Sequence, residues 1–188
     1  MFDLRDLAPD TLRPIRRAEY ERMVAQGMFE NERVELLYGI IVQMSPHGPD
    51  HDHAVDCLKD MLGAALAPGR ARVRVQSAFA ASNGSEPEPD IAVVPPRSYR
   101  DAHPNEAWLI VEVARTSVDK DRGIKGRLYA ESNVEEYWII NLVDGVIETY
   151  NAPSGGNYTQ VARHERGETV RLQHFPDVAV PVSDVVGT

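Results

Sequence analysis

Leu109-Ile-Val-Glu-Val113 decides the fold of this chain. It is a short apolar run that reads as a buried strand, and Glu112 is the only charge in it. An unpaired carboxylate in such a strand is strongly destabilising, so something beside it must compensate. A second acid, Asp90, closes Glu86-Pro-Glu-Pro-Asp90 and opens the apolar stretch Ile91-Ala-Val-Val94. Further on, Asp121-x-x-x-Lys125 places a lysine on a segment with helical spacing, with Tyr129 one turn later on the same face.

Two carboxylates about 4 Å apart repel by roughly 4 kcal/mol at an effective dielectric of about 20. A site that gathers Asp90 and Glu112 therefore calls for a cation, a proton or a lysine. Magnesium suits such a pair, being a hard ion held by one or two carboxylates plus waters and phosphate oxygens. Phosphodiester hydrolysis is one chemistry that needs this arrangement. The residues alone leave other readings open. Asp90 also suits a turn after Pro89, and Glu112 an edge or interface charge. Asp121 and Lys125 also suit a surface pair worth on the order of a few tenths of a kcal/mol.

Outward from this strand, a short helix is expected over residues 18–25, with Gly27 as its stop. Val34-Glu-Leu-Leu37 and Ile40-Ile-Val-Gln-Met44 flank Tyr38-Gly39 as a hairpin. Pleating turns Glu35 away from its apolar neighbours, which gives it a solvent-facing alternative. Asp50 is placed to cap a helix running to about Leu66, whose stripe is Ala54, Val55, Leu58, Met61, Leu62, Ala65 and Leu66. Pro68-Gly69 ends that helix. Strands are expected over 71–76, 91–94 and 108–113, and a helix over 119–131. Gly123 and Gly126 within that helix each cost about 1 kcal/mol relative to alanine, which points to a packing or backbone-approach reason. Segments 136–142 and 146–150 form a hairpin around Asp144-Gly145. The order of elements is that of a mixed α/β (α+β) sandwich and not of a regular βαβα alternation.

Composition narrows the function classes. A chain of 188 residues with 43% hydrophobic and 26% charged residues is expected to form one globular domain, residues 1–188, with 1–17 as an N-terminal arm. The single cysteine, Cys57, leaves no internal disulfide and no Cys-rich zinc site, and fits a cytoplasmic protein. No signal peptide or membrane span is expected, since no stretch approaches the ~18 apolar residues a span needs. A net charge of −9 counts against a surface that coats nucleic acid, but not against a local basic groove. Arg70, Arg72 and Arg74 alternate along one strand-like face, and with Lys120 they are candidate phosphate contacts; a solvated face is the alternative.

His51 falls on the apolar stripe of its helix, where a satisfied buried side chain competes with a substrate contact. A metal site built on His51-Asp-His53 is disfavoured, because residues two apart diverge on a helix and no third ligand follows at suitable spacing. The sequence has no Gly-x-Ser-x-Gly, P-loop or Gly-x-Gly-x-x-Gly motif. A two-carboxylate glycoside hydrolase would need no metal and would leave Lys125 without a role.

Several segments then occur in a recognisable order. They are Glu35-Leu-Leu-Tyr-Gly39, Met44-Ser-Pro46 with His51, Glu88-Pro-Asp-Ile91, Leu109-Ile-Val-Glu-Val113, Asp121-Arg-Gly-Ile-Lys125 with Tyr129, and Val134-Glu-Glu-Tyr-Trp-Ile139. Together, over about residues 18–185, they resemble the Uma-two family, described as restriction-endonuclease-like members of the PD-(D/E)xK nuclease superfamily. The resemblance implies a restriction-endonuclease-like core, a central mixed β-sheet flanked by helices, over residues 18–188. It implies a divalent ion, Mg²⁺ or Mn²⁺, on Asp90, Glu112 and the backbone carbonyl of Val113, with Glu35 as an accessory acid. The superfamily lysine normally sits two residues after the second acid, where this chain has Ala114, so its role passes to Lys125. DNA is the implied substrate, with Tyr129 and His51 as further candidate contacts. A homodimer is expected because restriction-type enzymes often cut two strands with two sites. A non-catalytic protein that retains the fold is the alternative.

Overall fold

The computed structural model describes residues 13–66 and 69–187. The greater part of the expected N-terminal arm, residues 1–12, and Pro68 of the expected helix stop lie outside the described residues. The chain divides into two compact units, one of residues 13–45 with 80–87 and one of 46–79 with 88–187.

The smaller unit holds α1 (Arg17–Ala25) and the antiparallel hairpin of β1 (Val34–Leu37) and β2 (Ile40–Gln43). Tyr38 and Gly39 form the hairpin turn, both with positive φ. Loop 80–87 adds to this hairpin through a Leu36↔Glu86 bridge and a hydrogen bond from Tyr38 N–H to Ser85 Oγ. Tyr20 of α1 is buried and donates its hydroxyl to the Val34 carbonyl at 2.9 Å.

The larger unit is built on one six-stranded sheet in the order β3-β4-β5-β6-β7-β8. The strands are β3 (Arg72–Val75), β4 (Ile91–Val94), β5 (Leu109–Ala114), β6 (Glu136–Asn141), β7 (Val146–Ser154) and β8 (Asn157–His164). Only β5 and β6 run parallel. Their crossover is the helical stretch α3 (Val118–Lys120), a π-helical turn (Asp121–Lys125) and α4 (Gly126–Glu131). A parallel pair needs such a crossover and is covered on both faces, which explains why β5 and β6 are apolar almost throughout.

Helix α2 (Pro49–Ala65) contributes Ala54, Val55, Leu58 and Leu62 to the core cluster that also holds Leu109, Val111, Val113, Trp138 and Ile140. The helix begins one residue before Asp50, with Gly48 as its cap and Pro49 in its first turn. Asp50 instead pairs with Arg115, just past β5, where Arg115 Nε donates to Oδ2 at 2.5 Å. The same cluster takes in Val170 of β9 (Thr169–Arg171), Val180 of β10 (Ala179–Pro181) and Val185 of α5 (Val182–Val186). Along β5 the residues between these core positions, Ile110, Glu112 and Ala114, point to the opposite face. No helix of the described residues is long and apolar enough to cross a membrane.

The core makes a direct prediction. Leu58 has no exposed surface, so Leu58→Ala should lose about 2–5 kcal/mol of stability in urea unfolding. Val161→Ala, at a residue 61% exposed on β8, should change it by no more than about 0.5 kcal/mol.

Candidate active site

Pairing between β4 and β5 runs from Val93↔Leu109 to Ile91↔Val111 and stops there. One residue before β4, the Asp90 main chain still serves β3, its carbonyl accepting from Gln76 N–H at 3.0 Å. Its side chain turns the other way, and Oδ2 accepts from Val113 N–H at 2.8 Å. The carboxylate thus takes the place of a main-chain acceptor where the two strands part, and this fixes its position against β5. Glu112, adjacent to that amide, is buried on the face opposite the α2 core.

The crossover helix supplies the compensation for Glu112. Lys125 Nζ donates to Oε1 at 2.9 Å and Tyr129 OH donates to the same oxygen at 2.6 Å. All three residues are buried, Lys125 to 2% exposure and Tyr129 completely. A buried pair of this kind holds only when further hydrogen bonds complete it, and the Tyr129 phenol is one of them. Tyr129, expected to touch substrate, is therefore enclosed behind Glu112.

The π-helical turn gives Lys125 this reach. Gly126 N–H bonds back to the Asp121 carbonyl, five residues earlier, and Tyr137 OH donates to the same carbonyl at 3.1 Å. A Cβ on Gly126 would lie 3.2 Å from that oxygen and 3.7 Å from the Tyr137 ring. The packing reason expected for the glycines thus holds at Gly126. A Cβ on Gly123 would meet nothing within 4 Å, so packing does not require glycine there. Asp121, which opens the turn, is buried and accepts from Ser117 Oγ at 2.5 Å. Burial raises its pKa, partly offset by Lys125 and the Ser117 hydroxyl. Arg122 ties the turn to β7 through a two-pronged pair with Glu148, Nε to Oε2 at 2.9 Å and Nη2 to Oε1.

On the other side of Asp90 stands His51, its Nε2 3.1 Å from Oδ2. Burial pushes the His51 pKa down, but the hydrogen bond and charge of Asp90, with Asp52, outweigh it and leave the pKa raised. Burial likewise pushes Asp90 up, and His51, the Val113 amide and the charge of Lys125 bring it below the ordinary value. His51 is therefore the buried histidine that its stripe position allowed, paired at Nε2, while its Nδ1 has no hydrogen-bond partner among the described residues. His53 diverges from it, as expected, and faces Cys57 with Nε2 3.6 Å from Sγ. The sequence reading missed His47, which stacks on His51 with ring centroids 3.8 Å apart. Only its spacing of four residues before His51 hinted at this, because a proline and a glycine intervene.

A divalent ion fits these residues. Both hydrogen bonds to Asp90 go to Oδ2, and Oδ1 has no hydrogen-bond partner among the described residues. His47, His51 and Asp90 each offer a ligand atom, all within 4.8 Å of one another. Carboxylate oxygen and imidazole nitrogen both suit first-row divalent ions.

The remaining candidates have other surroundings. Glu35 sits on β1 of the smaller unit, opposite Val42, and is fully buried, so the solvent-facing alternative does not hold. Arg70 precedes β3 and is held at both Nη atoms by Asp177, each at 2.8 Å. Arg72 is exposed, and Arg74 lies over the Tyr99 ring at 5.5 Å. Lys120 is half-buried at the end of α3.

The anchoring of the π-helical turn can be tested by acid unfolding. Burial pushes the Glu148 pKa up, but hydrogen bonds from Arg122, Asn141 and Tyr150 outweigh it and hold it at about 2, against 4.5 ordinarily. A depressed carboxylate contributes stability above its unfolded pKa and loses it as pH falls through the folded one. Stability should therefore fall between about pH 4.5 and 2, and the fall should be shallower in Glu148→Gln, as read by urea midpoints across that range.

The comparisons extend this geometry. The family model of Uma2, described as "Putative restriction endonuclease", matches residues 17–183. Comparison with curated proteins gives no match. Among solved structures, one from Anabaena variabilis ATCC 29413, described as a "putative nuclease belonging to DUF820", superposes with a TM-score of 0.70. It is 17% identical, with 92% of this chain and 98% of that chain covered, and it shows that the two share a fold. With the family's model spanning nearly all of its length, the chain belongs to the Uma2 family.

Proposed function

We propose that this chain is a divalent-metal-dependent endonuclease that hydrolyses DNA phosphodiester bonds, with Asp90, Glu112 and Lys125 at its centre. The observation that carries the reading is that Asp90 is held on the amide of Val113, the residue after Glu112, and that Glu112 is met by a helix lysine. Asp90 is fixed by the Val113 amide, and Glu112 by Lys125 and Tyr129. Membership of a nuclease-type family supports the reaction class.

In this reading Asp90 and Glu112, with the Val113 carbonyl, hold Mg²⁺ or Mn²⁺, and Glu35 serves as an accessory acid. A bound ion supplies a Lewis acid for a phosphate oxygen and lowers the pKa of the attacking water. Lys125 pairs with the Glu112 carboxylate, and its ammonium offsets negative charge that develops on the phosphoryl group. Tyr129 holds the Glu112 carboxylate in one orientation. Water adds to phosphorus, one P–O bond breaks, and the leaving oxygen ends with a proton. Arg72, Arg74 and Lys120 are the phosphate contacts in this reading. Two copies, one for each strand, complete it as a homodimer, and light scattering that finds only monomer would remove that part.

A second reading, a protein that keeps the fold without catalysis, is favoured by one observation. Each acid already has a protein partner, Lys125 on Glu112 and His51 on Asp90.

Nicking of supercoiled plasmid in Mg²⁺ or Mn²⁺ separates the two. The nuclease reading expects cleavage that chelator abolishes and that Asp90→Asn, Glu112→Gln or Lys125→Met each lowers by about 100-fold or more. Cleavage that survives chelator, or is indifferent to all three substitutions, contradicts it. An absence of cleavage with every ion and substrate form favours the second reading.

A further inference from the structure

We infer that His47, His51 and Asp90 form a second cation site, one that takes an imidazole-binding ion such as Mn²⁺, Co²⁺ or Zn²⁺ in preference to Mg²⁺. The site shares Asp90 with the proposed nuclease centre and in that respect rests on the reading above, but its other two ligands are separate from Glu112 and Lys125.

Three observations carry it. First, the ligand atoms are close enough for a small inward shift to place them in one coordination shell. The ligand atoms of the three residues lie within 4.8 Å of one another, and His51 Nε2 is 3.1 Å from Asp90 Oδ2. Adjacent ligands at about 2.1 Å from an octahedral ion are about 3.0 Å apart. Second, the other nitrogen of the His51 ring, Nδ1, is buried with no hydrogen-bond partner among the described residues and can carry the ring proton, which leaves Nε2, beside Asp90, as the ligand atom. Buried polar atoms are rarely left this way. Third, each ring has a polar side chain beside it, and for His51 it is a carboxylate, the kind of group that orients metal-binding histidines. The Gln76 side-chain amide lies 3.2 Å from His47 Nδ1, and Asp52 Oδ1 lies 3.5 Å from His51 Nδ1.

The chain brings these groups together by local means. His47 lies in the loop before α2 and His51 in its first turn, with Gly48 and Pro49 between them setting the entry to the helix. The two rings stack with planes 22° apart. Asp90 reaches them because its strand has just left β5.

The ligand set decides the ion. Mg²⁺ favours oxygen ligands and retained waters, whereas two imidazoles and a carboxylate suit first-row transition ions. An ion here and an ion on Asp90 and Glu112 would share the Asp90 carboxylate, the arrangement of a two-metal clamp on a transferring phosphoryl group.

Calorimetric titration of the full metal-free chain with MnCl₂ and with MgCl₂ tests this, together with pulsed EPR of the Mn²⁺ complex. Wild type is expected to bind two Mn²⁺, one of them with ¹⁴N coupling from imidazole, and to bind Mg²⁺ at that place at least about 10-fold more weakly. His47→Ala should lose the ¹⁴N-coupled ion or weaken it by at least about 10-fold, and Glu112→Gln should keep it. A single, Glu112-dependent ion without ¹⁴N coupling overturns this inference and leaves the nuclease reading standing. A single ¹⁴N-coupled ion indifferent to Glu112→Gln upholds the inference and counts against the acid pair. No binding of either ion overturns both. The EPR spectrum of the wild-type complex decides the matter even if a variant fails to fold.

Discussion

The Lys125–Glu112 pair is the interaction on which this side of the sheet depends. Glu112 stands in a strand that is buried along its whole length, and removing its partner would leave an uncompensated charge in the interior. The crossover between β5 and β6 answers that constraint. Its π-helical turn presents Lys125 to the carboxylate, its next turn adds the Tyr129 hydroxyl, and Arg122 fastens the turn to β7. A polar centre is thus built into the layer between sheet and helix, at a place where an all-apolar contact would be simpler to pack.

Asp90 follows a different logic. It sits where two paired strands separate, so its side chain takes over a hydrogen bond that the backbone no longer makes. Position comes from β5 and charge compensation from α2, through His51. Each of the two acids thus has a compensating partner of its own, Lys125 for Glu112 and His51 for Asp90.

Much of this was legible in the sequence, for identifiable reasons. A lone acid in Leu109–Val113 is costly enough that its compensation could be demanded before its partner was known, and Lys125 and Tyr129 shared a helix face at the right distance along the chain. The β6–β7 hairpin followed from Asp144-Gly145, whose glycine takes a positive φ of 66°. The π-helical turn was not legible, because Asp121–Lys125 is too short and too polar for its apolar spacing to reveal one extra residue; only Gly126 marked it. Nor was His47, whose stacking on His51 depends on the path of a loop through Gly48 and Pro49. The solvent-facing alternative for Glu35 fails because strand alternation assumes one wet face, whereas β1 buries Glu35, Leu36 and Leu37 in succession.

The central claim, that these acids exist to hold an ion, is tested most directly by a crystal soaked in Mn²⁺ and measured at the manganese absorption edge. The account predicts anomalous density in contact with the Asp90 carboxylate and within one coordination shell of Glu112. Full Mn²⁺ occupancy elsewhere in the crystal, with Asp90 still bonded to His51 and no density at either acid, would contradict it.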